Sequence, residues 1–164
     1  MFNIVVHGVA FMVIFSAFQT ASEYAQPILE DQDLGDLGFQ SAAVIYLSLA
    51  VSNLVAPTVV MKLGPKRGMI VGAALYLVYL CSFLKPMAAT IIAASVILGF
   101  GGATLWTAQG IFLIKHSDDN HRGRDTGIFW SLLQCRLLIG NGVALLTLSS
   151  NGNETGTTIS EEKA

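Results

Sequence analysis

Five long apolar runs, separated by short clusters of charge, dominate what this chain can become. They extend from Asn3 to Ala21, Ser41 to Met61, Gly68 to Leu84, Met87 to Ile114 and Thr126 to Ser149. A helix rises about 1.5 Å per residue and a bilayer core is about 30 Å thick, so each run suits a membrane-crossing helix. The fourth is long enough to tilt or to project from the bilayer. The expected fold class is therefore an all-α membrane protein with five transmembrane helices, followed by a polar tail over residues 151–164.

Composition points the same way. Hydrophobic residues make up 53% and charged residues 12%, against about 25% charged in soluble domains. This excludes a soluble enzyme. A net charge of −2 gives no basic field for nucleic acid. Cys81 and Cys135 lie inside apolar runs, where they make neither a disulfide framework nor a zinc spacing, and are expected as buried thiols. The chain has no phosphate-cradling glycine loop, no G-x-S-x-G elbow and no H-E-x-x-H pair, so neither catalysis nor a cofactor is expected. His116, Asp118, Asp119 and His121 share one loop, but their spacing fits no metal site and reads as a solvated loop. The expected partners are the lipid bilayer and either the remainder of a larger bundle or another membrane protein.

The connections carry breakers. Gly64-Pro65 turns the chain between the second and third runs, and Pro86 separates the third from the fourth. Pro57 predicts a kink late in the second run. Ser41 and either Asp125 or Thr126 are candidate N-caps. Lys62, Lys66, Arg67, Lys115, Arg122 and Arg124 fall at one end of the runs, and the acidic residues Glu23, Glu30, Asp31, Asp33 and Asp36 at the other. The positive-inside rule then puts the N-terminus in the cytosol and the tail in the lumen or outside the cell. That tail, in which little structure is expected, contains the sequon Asn153-Glu154-Thr155, making Asn153 a glycosylation candidate. The first run lacks the basic flank of a cleaved signal peptide and is too long for one.

Polar groups within apolar runs are costly in lipid, so their placement is informative. Residues three, four and seven apart share a helix face. Gly8, Met12, Ser16 and Gln19 align in the first run, and Tyr46, Ala50, Asn53 and Pro57 in the second. Gly99, Gly102, Trp106 and Gln109 align in the fourth, and Gly127, Trp130, Gln134 and Asn141 in the fifth. Such faces serve close helix packing or line a shared polar cavity. Gln19, Asn53, Trp106, Gln109, Trp130 and Gln134 are the candidates for either role. Gly68-xxx-Gly72 is a packing motif, and His7, alone on an apolar run, reads as a packed histidine. Arg136 stands apart. It projects about 160° from Gln134 around the helix, and no acidic residue lies at a matching depth. An intramembrane arginine is by default a functional group in search of a partner.

Several segments resemble the UNC-ninety-three-like family, the ion-channel-regulatory branch of the major facilitator superfamily. These are Phe2-Asn3-Ile4 with Gly8-Val9-Ala10-Phe11-Met12, and Ser52-Asn53-Leu54 through Pro57 with Leu63-Gly64-Pro65. Leu105-Trp106-Thr107-Ala108-Gln109-Gly110 and Gly123-Arg124-Asp125 with Gly127-Ile128-Phe129-Trp130 complete the set. The resemblance implies a bundle of twelve helices in two halves, of which this chain matches five from the first. The chain departs from the pattern at Arg136, where a small polar residue is expected. It also departs at Lys62–Arg67, which lacks the acidic residue of the superfamily's loop. Three functions fit: part of a transporter for a small solute, a non-transporting regulator or trafficking partner of other membrane proteins, and a truncated product without a function of its own.

Overall fold

The computed structural model describes residues 1–31 and 35–161, with side chains placed for 1–22, 24, 29, 35–139, 141 and 142. Among the described residues six helices follow one another: α1 Phe2–Asp31, α2 Gly35–Ser52, α3 Ala56–Leu63, α4 Pro65–Ser82, α5 Ala88–His116 and α6 Arg122–Glu161. There is no strand among the described residues.

The second apolar run is broken rather than kinked. Leu54 and Val55 donate to the carbonyls of Val51 and Ser52, tightening the last turn of α2. α3 then leaves at 66° to α2. Pro57 lies in the first turn of α3, where its missing amide costs nothing. Gly64 joins α3 to α4 at φ +80°, a conformation that side chains resist, and its amide donates to Val60 at 2.8 Å.

Neither expected cap stands at a helix end. Ser41 lies inside α2 and donates to Gly38 at 2.9 Å, because helix formation begins earlier, in the polar residues from Gly35. α6 likewise starts at Arg122, so Asp125 sits in its first turn, where a carboxylate favours the dipole. Asp125 is buried and accepts from Arg124 at 3.0 Å. Cys81 is exposed, not buried, while Cys135 is half-buried. The helix of α6 continues through Glu161, past the end of the apolar run, where little structure was expected.

Small residues set the closest approaches. A Cβ on Gly72 would lie 2.7 Å from the Cβ of Leu105 and 2.9 Å from the Gly101 carbonyl, and one on Gly101 would lie 2.6 Å from the Cβ of Leu75. α4 and α5 therefore meet nearly backbone to backbone. α2 meets α5 at Gly99, where a Cβ would overlap the Ser48 hydroxyl, and that hydroxyl donates to Val96 across the interface at 3.3 Å. On the other side α1 packs on α6 through Gly8 and Leu132. Between the α1–α6 pair and the α2–α4–α5 group lies an aromatic layer built on Phe11, Phe15, Tyr76, Trp106 and Phe129.

Between the charged turns, the described side chains on the exterior are largely apolar. Leu84 is 85% exposed, Leu54 83% and Phe39 77%, a surface suited to lipid rather than water. Among the described residues, α1 over Phe2–Ser22 and α5 qualify as membrane-crossing by length and hydropathy, and the bent α2–α3 pair makes a third if taken as one span. α4 opens on Lys66-Arg67, which shortens its apolar stretch.

Candidate functional site

The aromatic layer separates two cavities at opposite ends of the bundle. One, of about 470 Å³, opens between the second half of α1, the first half of α2 and the facing parts of α4 and α5. Gln19, Ser41, Tyr76, Tyr79 and Trp106 supply its polar lining, among apolar side chains such as Phe18 and Leu98. The Trp106 indole faces the Tyr76 hydroxyl, and Ser41 faces that of Tyr79. Paired in this way, these hydroxyls are tolerated in an apolar setting while still presenting a polar wall. Trp106 joins this wall to the aromatic layer, with Phe15 packed against it at 5.2 Å between ring centroids.

The sequence candidates divide in two. Gln19 and Trp106 come together on this cavity. Gln109 is buried on α5, one turn beyond Trp106, outside the lining. Trp130 stacks parallel to Trp106 at 5.9 Å but is 46% exposed. Asn53 lies in the break after α2 and Gln134 on the outer face of α6, both exposed. The polar stripes of α1 and α5 thus face inward and that of α6 faces out, while the α2 stripe is exposed, with Tyr46 on the cavity and Asn53 away from it. Ser41, Tyr76 and Tyr79 were missed, since single hydroxyls scattered over two helices form no stripe in sequence.

Arg136 points inward, opposite Gln134. Its guanidinium carbon lies 5.6 Å from the centroid of the Phe15 ring, within reach of a cation–π contact. Its charge also reaches Tyr76. The Arg136 Nε is buried and has no hydrogen-bond partner. Asn153 lies outside the described side chains. Around the α5–α6 turn, His121 and Asp118 approach to 3.7 Å and Arg122 pairs with Asp119. Among the described residues no three potential metal ligands converge.

The second cavity, about 620 Å³, lies between the start of α1, the α3–α4 turn and the end of α5. Lys66, Arg67, His7 and His116 line it, together with Phe2, Val6, Met69 and Phe112. His7 is held among Phe11, Phe112 and Phe129 at centroid distances of 4.6, 4.7 and 5.1 Å.

No solved structure matches the chain. Similarity to known sequences is extensive. UNC93-like protein MFSD11 of Xenopus laevis is 42% identical over 142 residues, covering 85% of this chain and 32% of that protein. UNC93-like protein 3 of Arabidopsis thaliana is 32% identical over 164 residues, covering 93% of this chain and 34% of that protein. Protein unc-93 homolog A of Xenopus laevis is 29% identical over 160 residues, with 91% and 34% covered. The chain spans about a third of the length of these curated relatives. The family described as ion channel regulatory protein UNC-93 matches residues 35–164. With that match over most of its length and an exterior built for lipid, the chain is a membrane protein that belongs to the UNC-93 family.

Proposed function

We propose that this chain forms five spans of the first half of a major-facilitator-type bundle, with its N-terminus in the cytosol, and that the bundle moves a small solute. The observation that carries the reading is the cavity of about 470 Å³ lined by Gln19, Ser41, Tyr76, Tyr79 and Trp106 and bordered by the aromatic layer. A half-polar pocket inside a helical bundle, stopped before it reaches the opposite face, is the arrangement that alternating access requires. The outward polar faces at Asn53 and Gln134 then meet the rest of the assembly.

A second reading is regulation of an ion channel, favoured by the description of the matching family. In that role the small and polar faces of α2 and α6 would pack on the partner's helices. One experiment separates the two. The longest natural protein containing this sequence is placed in proteoliposomes, and uptake of labelled amino acids, organic anions and organic cations is measured. Uptake that falls at least tenfold in Trp106→Ala and Gln19→Ala, with the protein still folded and inserted, supports transport. No uptake of any solute, together with a channel subunit that co-purifies from membranes and is lost in Gln134→Leu, supports regulation.

A further inference from the structure

The second cavity lies away from the proposed solute path and has a different chemistry. Two cations stand at its rim, Lys66 and Arg67, both exposed and, among the described residues, without an acidic partner. They are held in the first turn of α4 by Gly64 and Pro65, and no side chain caps that helix. An uncapped helix start adds positive potential to that of the two side chains. His7 also lines the cavity. It is only 7% exposed, and its Nε2 is buried without a hydrogen-bond partner. A polar atom left unpaired in an apolar surrounding is unfavourable unless something enters to meet it. His116 completes the wall, stacked on Phe112 at 4.0 Å.

We propose that this cleft binds the phosphorylated headgroup of an anionic membrane lipid. Lys66 and Arg67 hold the phosphate at the rim, arginine as a planar fork and lysine as a point charge. The His7 imidazole takes a hydrogen bond from the deeper part of the headgroup. The apolar side of the cleft argues for a lipid over a free phosphate: Phe2 is 80% and Val6 50% exposed beside the cations, giving the acyl chains a surface to follow. The cleft also lies at the end of the bundle that carries Lys62 and Lys115, the cytosolic end by charge, where anionic lipids concentrate.

The full chain in an uncharged detergent is titrated with a dioctanoyl phosphatidylinositol phosphate, with dioctanoyl phosphatidylcholine and with inorganic phosphate, and the thermal unfolding midpoint is followed. The phosphoinositide raises the midpoint, and the other two do not. The apparent affinity falls about tenfold or more in the exposed double variant Lys66→Gln/Arg67→Gln and is unchanged in Lys62→Gln, which lies outside the cleft. His7→Phe, which keeps an aromatic ring and removes the unpaired Nε2, weakens binding while the unliganded midpoint holds or rises. An unchanged response in the double variant, an equal loss in Lys62→Gln, or no response to any lipid overturns the proposal. An equal response to inorganic phosphate overturns the lipid assignment and leaves a free-anion site.

Discussion

Arg136 shows how a single residue can be placed by spacing and still need a structure for its surroundings. Helical geometry set it opposite Gln134, and the structure keeps that opposition. What spacing could not decide was which of the two faces in. Gln134 faces out, while Arg136 turns toward Phe15 and Tyr76. Its cation–π contact is worth about 0.5–2 kcal/mol, but an unsatisfied buried donor costs about 1–3 kcal/mol, and Nε is such a donor. The balance predicts that Arg136→Met, similar in length and without charge, leaves the fold intact and raises its stability by about 1 kcal/mol. Thermal unfolding in detergent reads this directly. A loss of stability of similar size would mean that the guanidinium has a net favourable role in the bundle, beyond its aromatic neighbour.

Among the elements, α4 and α5 form the most intimate contact, and glycine makes it possible. Gly72 meets the backbone of Gly101 and the stem of Leu105, which cannot rotate aside as a flexible side-chain end could. Gly72→Ala is therefore expected to cost about 1–3 kcal/mol by overpacking, whereas Gly110→Ala, with nothing within 4 Å of the added Cβ, is expected to be neutral or slightly stabilising through better helix propensity. Paired unfolding curves of the two variants test the contrast, and equal effects would mean that α4 and α5 do not meet at Gly72. The Gly68-xxx-Gly72 spacing made this interface legible in sequence, because only close approach calls for small residues there. The inward or outward sense of the α2 and α6 stripes was not legible. In a soluble helix polarity marks the water side, but here the bundle interior and the lipid are both apolar. α6 in fact buries Phe129 and Leu133 against the aromatic layer and leaves Trp130 and Gln134 outside. The break at Asn53 was also hidden, since Pro57 signals a disturbance of the helix without fixing where it begins.

For the whole molecule, α6 offers the means to test the proposed topology. Its 40 residues correspond to about 60 Å of helix, roughly twice the hydrocarbon thickness. Its first turn carries Arg122 and Arg124, which the proposed topology puts on the cytosolic side. On that topology a helix starting there and crossing once emerges near Ser149, and its remaining polar turns, including Asn153, would lie on the opposite side. Expression in a glycosylating cell therefore yields a chain whose mobility shifts on glycosidase treatment, and Asn153→Gln abolishes the shift. The same topology makes an epitope tag after Ala164 inaccessible to a cytosolic protease and one before Met1 accessible. A C-terminal tag cleaved from the cytosol would instead require an even number of crossings. α4, opened by Lys66-Arg67 and with the shortest purely apolar stretch, would then be the helix to remove from the count.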